Sequence, residues 1–291
     1  MKKFQSAILL FSLLCSGLPS GLQAQEQDKK ATAICFDFDD VLTQRESRMQ
    51  DFLYIIASAC FSNPLGCFYT LFDMNKIRKQ GEQYAKKEAA STHSTVDAML
   101  SYLKEHNYGD FFAYRDSIID SAIEPQPIPG MIQLVQKFKS EGYTVLGVTN
   151  QTYEESKIYR TKLKNQGIDL TSLFDAIVTT YAPNYPQAAS DTMQRMEANV
   201  YMTNPGVRKP AASYYQVVKD ISKPLGVNRW YFIDDQKVNV EGANQAGMIG
   251  IHFALPKDKK GNQKKARNAT KEELRATVYK TYDALVECGA V

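Results

Sequence analysis

The stretch Ile34-Cys35-Phe36-Asp37-Phe38-Asp39-Asp40-Val41-Leu42-Thr43 sets three carboxylates within four residues, directly after a short apolar run. An apolar run with a polar break reads as a buried strand over residues 31–38, its acidic residues at the carboxyl end. Comparable runs recur at residues 144–148, 176–179, 230–233 and 249–254, with helical patterns between them. Met131, Leu134, Val135 and Phe138 keep the i, i+3, i+4, i+7 spacing of a buried helix face, and Gly142 stands where the C-cap belongs. The alternation predicts an α/β fold built on a parallel sheet with helices on both faces.

The distance between the first two strands carries more information than the strands do. Asp39 and Thr149 are about 110 residues apart, whereas a strand-helix-strand crossover needs only about 30. Residues 44–124 are therefore expected to be an inserted, all-helical cap, with helix spacing at Val96, Met99, Leu100 and Leu103 and no convincing strand. A proline-rich hinge, Glu124-Pro-Gln-Pro-Ile-Pro-Gly130, closes it. Within the cap, residues 52–72 are apolar but broken by Ser58, Ser62, Asn63, Pro64 and Gly66, so two packed helices fit better than a membrane segment. The core is expected at residues 25–43 and 125–291. An irregular stretch at residues 181–203 reads either as a substrate-facing loop or as a surface excursion.

At the N-terminus, Lys2 and Lys3 precede an apolar run at residues 7–14, then Pro19, Gly21 and Leu22-Gln23-Ala24. That is the layout of a secretory signal over residues 1–24, which implies export to a periplasmic or secreted location and no stable membrane insertion once it is removed. Four of the five cysteines would remain. Cys60 and Cys67 flank a turn and either close a small disulfide loop or stay as buried thiols. The net charge of +3 gives no reason to infer nucleic-acid binding. The basic run at residues 257–267 reads as a solvated linker, and Thr270 with Glu273 as a capping box opening a last helix with Leu274, Val278 and Leu285 on one side. Sequence says nothing of the oligomeric state.

In open parallel sheets the ligand crevice lies outside the carboxyl ends of the strands. Asp37, Asp39 and Asp40 fall there, as do Thr149 and Asn150 after the second strand, Lys209 before Pro210, and Asp234 and Asp235 after Trp-Tyr-Phe-Ile. Asp37 and Asp235 on neighbouring strands would repel unless a cation lay between them. Carboxylate and carbonyl donors without histidine or thiol favour a hard ion such as Mg2+. A lysine and hydrogen-bonding groups on the same rim would hold an anion against it, and phosphate fits.

Asp37-Phe-Asp39-Asp40-Val-Leu42, Val145-Leu-Gly-Val-Thr149-Asn150, Gly206-Val-Arg-Lys209-Pro210 and Phe232-Ile-Asp234-Asp235-Gln-Lys-Val-Asn239 occur in that order. Together they resemble the four motifs of the haloacid dehalogenase superfamily of hydrolases, in its branch with a helical cap after the first motif. The resemblance covers about residues 31–254 and implies a Rossmann-like core. Two departures stand out: Asp40 occupies a position where glycine is commonest in the family, and the stretch before Lys209 is long.

The resemblance implies a phosphatase acting on a small phosphorylated substrate, with Asp37 as nucleophile and Asp39 as general acid-base. Mg2+ would be held by Asp37, the Asp39 carbonyl and Asp235, with Asp234 as a further ligand or support. Thr149, the Asn150 amide and Lys209 would bind the phosphoryl oxygens. Asp39 favours phosphoryl chemistry over dehalogenation, because halide leaves without a proton. A phosphomutase or dehalogenase of the same superfamily and a secreted, non-catalytic binding protein of the same fold are the alternatives. Asp40 is expected to be structural, at the hinge into the cap, and Arg45, Arg48 and Tyr54 stand near the cap entrance.

Overall fold

The computed structural model describes residues 28–45, 95–106, 115–182, 185 and 193–291. The signal expected at residues 1–24, the apolar pair of helices at 52–72, the Cys60–Cys67 pairing, Arg48 and Tyr54 lie outside the described residues, as does the side chain of Arg45.

The strands are β1 (Thr32–Phe36), β2 (Thr43–Arg45), β3 (Pro125–Pro127), β4 (Thr144–Thr152), β5 (Ala176–Thr180), β6 (Met193–Arg195), β7 (Val200–Thr203), β8 (Arg229–Asp234) and β9 (Ile249–His252). The helices are α1 (Thr95–Glu105), α2 (Arg115–Ala122), α3 (Met131–Ser140), α4 (Tyr153–Asn165), α5 (Leu170–Leu173), α6 (Ala212–Ser222), α7 (Lys237–Gln245) and α8 (Lys271–Glu287). Seven strands form one sheet in the order β6-β7-β5-β4-β1-β8-β9, parallel except for β6, which runs antiparallel to β7. This is the expected α/β, Rossmann-like architecture. Among the described residues, no helix is long and apolar enough to cross a membrane.

Strand alternation divides the core in two. Ile34 and Phe36 of β1 pack with Val145, Ile177 and Ile233 against Val135 and Phe138 of α3, Tyr159 of α4 and Leu274 of α8. Ala33 and Cys35 point the other way, with Leu146, Val148, Val178 and Phe232 against Tyr214, Tyr215 and Val218 of α6 and Ala243 of α7. A strand buried on both faces shows no polar alternation, which is why β1 appears in the sequence as an unbroken apolar run.

The predicted helix signals are present. The chain leaves α3 through Gly142 (φ 89°), with Tyr143 N–H donating to the Phe138 carbonyl at 3.1 Å, so glycine supplies the left-handed residue of the cap. Thr270 and Glu273 form the capping box of α8, and Thr152 with Glu155 forms another at α4.

Three expectations need correction. Residues 181–203 are not wholly irregular, since they contain β6 and β7, which extend the sheet. The hinge is partly strand: β3 pairs antiparallel with β2, Thr43 opposite Pro127 and Arg45 opposite Pro125, so strand reaches two residues into the expected cap. Proline suits such a ribbon because it lies on an edge, where a missing N–H costs no ladder bond. Residues 257–267 are mostly exposed but tethered, as the site makes clear.

Candidate active site

β4, β1 and β8 are neighbours at the centre of the sheet, and their carboxyl ends bring the predicted residues together. Asp37 continues β1, its N–H donating to the Ile233 carbonyl at 3.0 Å. Next to it the Phe38 ring lies over Gly147 of β4, where an added Cβ would come within 2.6 Å of ring carbon Cε1. The ring also stacks on Tyr159, with centroids 5.3 Å apart and planes 8° from parallel. The segment between Asp37 and Asp39 is thereby clamped by packing.

Lys209 is the electrostatic hub. Its Nζ lies 2.8 Å from Asp37 Oδ1 and 2.7 Å from Asp234 Oδ2, and the ammonium is only 1 % exposed. Burial alone would lower its pKa, but Asp234 and Asp37 overcome that and hold it above the usual lysine range. The Lys209–Pro210 bond is cis. The Asn150 carboxamide grips the Lys209 backbone twice, Nδ2 donating to the carbonyl at 3.2 Å and Oδ1 accepting from the N–H at 2.9 Å. The side chain of Asn150 is therefore committed to placing the lysine.

The predicted strand end at Thr149 needs refinement, because β4 continues to Thr152 through an irregularity after Val148. Such bulges re-aim side chains. Thr149 Oγ1 accepts from Gln151 N–H at 3.1 Å, which leaves its hydroxyl proton able to donate elsewhere. Tyr214 fixes the same bulge by hydrogen bonding to the Thr149 carbonyl at 2.9 Å.

Asp37, Asp234 and Asp235 each offer an oxygen within 4.8 Å of the others. Their surroundings differ. Asp234 is fully supplied: Oδ1 accepts from Gln236 N–H (2.8 Å) and Asn239 Nδ2 (3.0 Å), and Oδ2 from Lys209 (2.7 Å) and Asn239 (3.1 Å). Asp235 Oδ1 is buried with no hydrogen-bond partner among the described residues. Burial, reinforced by Asp234 and Asp40 and partly offset by Lys209, pushes the Asp235 carboxyl up to about 7. Burial likewise raises Asp37, against the opposing pull of Lys209 and with the repulsion of Asp234, Asp235 and Asp39. Crowded carboxylates and an orphaned oxygen fit a hard divalent cation, and Asp234, which already accepts from Lys209, Asn239 and Gln236, also anchors the lysine.

Asp40 has φ 59°, a left-handed conformation that Asp tolerates better than most residues, which accounts for a residue other than glycine here. Its N–H donates to the Thr43 carbonyl at 2.7 Å, and its Oδ1 accepts from Ala266 N–H at 3.0 Å. Gln263 Nε2 donates to the Asp235 carbonyl at 3.1 Å. His252 Nε2, 2.9 Å from that same oxygen, donates to it in the Nε2–H tautomer. The C-terminal basic segment is thus tied to the site at two acidic residues.

Sequence reasoning assigned no role to Gln151, Asn239 or Tyr214. Gln151 directly follows the Thr-Asn pair, the one signal that could have drawn attention to it; its Nε2 donates to Asp39 Oδ1 at 3.1 Å.

No family model matches the chain, and no curated protein does. Solved structures resemble it at low identity. A dehalogenase with an intermediate complex aligns at 15 % identity over 80 % of this chain and 90 % of that one, with a TM-score of 0.45. A haloacid dehalogenase-like hydrolase from Xanthomonas campestris aligns at 11 % over 88 % and 95 %, also at 0.45. A protein described as a HAD-hydrolase, YfnB from Bacillus subtilis bound to magnesium, aligns at 16 % over 75 % and 86 %, at 0.44.

Proposed function

We propose that this protein is a Mg2+-dependent phosphoric monoester hydrolase that works through an aspartyl-phosphate on Asp37. The observation that carries the reading is the Asp37–Lys209–Asp234 bridge beside an orphaned Asp235 oxygen, where the carboxyl ends of the adjacent strands β1 and β8 meet the loop before α6. A single buried ammonium faces more negative charge than it balances, and a divalent cation with a phosphoryl group would complete the set.

Asp37 is the nucleophile. Phe38 N–H and Lys209 Nζ both donate to its Oδ1, each at 2.8 Å, which orients the carboxylate and leaves Oδ2 to attack phosphorus in line. Asp39, two residues on, protonates the departing oxygen and then takes a proton from the water that hydrolyses the acyl phosphate. Lys209 and the Thr149 hydroxyl bind the phosphoryl oxygens, and Asn150 contributes through its main-chain amide while its side chain holds the lysine. Asp37, the Asp39 carbonyl and Asp235 would hold Mg2+. When bound, the ion supplies positive charge to the crowded carboxylates and the phosphoryl oxygens.

Phosphate release from p-nitrophenyl phosphate tests the reading. Wild type should turn over with Mg2+ and stop with a chelator, and Asp37→Asn should be inactive although folded. Absence of turnover on this and on a broad panel of phosphate esters would overturn it.

A further inference from the structure

Gln151 is 3 % exposed and sits in the β4 irregularity beside Thr149 and Asn150. Its backbone is fixed from two sides. Its N–H donates to Thr149 Oγ1, and the Thr180 hydroxyl lies 3.1 Å from the carbonyls of both Asn150 and Gln151. From that anchored position the side chain reaches a residue 112 positions earlier, donating from Nε2 to Asp39 Oδ1. A carboxylate only accepts, so the NH2 end of the amide is the end that meets it. The other end, Oε1, is buried with no hydrogen-bond partner among the described residues. An unpaired buried carbonyl is unfavourable, so packing alone does not explain a glutamine here, where leucine or methionine would fill the same volume.

We propose that Gln151 is a positioning residue for Asp39, fixing Oδ1 and with it the orientation of the carboxyl group for proton transfer. The inference rests on the hydrolase reading above. In the first step the Asp37 oxygen bonds to phosphorus as the ester P–O bond breaks, and the Asp39 proton goes to the leaving oxygen. In the second, water bonds to phosphorus and gives its proton to Asp39, and Asp37 departs as a carboxylate. A misplaced Asp39 penalises the first step most when the leaving group is basic, because a dinitrophenolate leaves unaided and an alkoxide does not.

The test is kcat/KM, which reports the first step, for wild type, Gln151→Leu and Gln151→Met over esters from 2,4-dinitrophenyl phosphate to an alkyl phosphate, with Mg2+ present. Thermal melting checks folding, and two apolar replacements guard against failure of one. The alkyl ester should lose at least about tenfold more activity than the dinitrophenyl ester in both variants. An equal loss across the series, or none, would overturn the role of Gln151. A wild type that hydrolyses no member would overturn the hydrolase reading itself and this role with it, and the wild-type control alone separates that outcome from the others.

Discussion

Asp40 and Ala266 are 226 residues apart, yet the Ala266 N–H donates to Asp40 Oδ1 at 3.0 Å, joining the first turn after β1 to the segment that precedes α8. The same aspartate holds a left-handed backbone. Asp40→Asn keeps an acceptor and the tolerance for that conformation, so it should cost well under about 1 kcal/mol. Asp40→Ala loses both and should cost about 2 kcal/mol. Urea unfolding measures the difference, and equal effects would refute the latch.

Gly147 gives its space to Phe38, and Gly147→Ala would drive a methyl into the ring that separates Asp37 from Asp39. A loss of about 1–3 kcal/mol is expected, with a lower kcat. Adding Phe38→Leu should restore most of the stability. If the double variant is no more stable than Gly147→Ala, the glycine is needed for another reason.

Glu197 accepts two hydrogen bonds from Arg160, at 2.8 and 2.9 Å, and one from Tyr153 at 2.8 Å, tying the turn after β6 to α4. Arg160 chiefly, with Tyr153, holds its carboxyl below the usual range. Because the folded pKa is depressed, the stability is present above the ordinary carboxylate range and fades as pH falls through the folded value. Glu197→Ala should cost about 2 kcal/mol at pH 7, given its partial exposure, and the gap to wild type should narrow below pH 4. A gap that stays constant with pH would show the ion pair to be irrelevant.

The proposed role of Asp235 in holding Mg2+ can be tested without catalysis. Burial, with Asp234 and Asp40 beside it, raises the Asp235 carboxyl from 3.8 to about 7. The folded state then binds the proton more tightly than the unfolded state. The stability this group contributes is full below about pH 4 and is lost as pH rises through about 7. In chelator the melting temperature should fall between pH 5 and pH 8, Mg2+ should raise it more at pH 8, and Asp235→Asn should flatten both dependences. A Mg2+ effect that is independent of pH and survives Asp235→Asn would place the ion elsewhere.

The sheet was legible because its central strands are buried on both faces and end in turn residues. β3 and β6 were not: each has three residues, one carries two prolines, and the other is Met-Gln-Arg on an open edge, so neither has an apolar period to read. Asp37, Asp234 and Asp235 were placed correctly at the ends of β1 and β8 because a polar break after an apolar run is a one-dimensional signal, whereas Thr149 lies inside an irregular β4 and Lys209 in the loop before α6. The roles of Asn150, Gln151 and Asn239 could not be read, since each depends on which carbonyl or carboxylate the fold brings to an amide. Asp40 was recognised as structural, but its partner lies almost at the other end of the chain.

Chemical trapping at Asp37 is the most direct measurement of the central claim. The protein is mixed with Mg2+ and an aryl phosphate, quenched during turnover and reduced with borohydride, which converts an aspartyl-phosphate to homoserine. Peptide mass analysis should find homoserine at position 37 in wild type, and none in Asp37→Asn or in the presence of chelator. Turnover of the ester with residue 37 recovered only as unmodified aspartate would contradict the account.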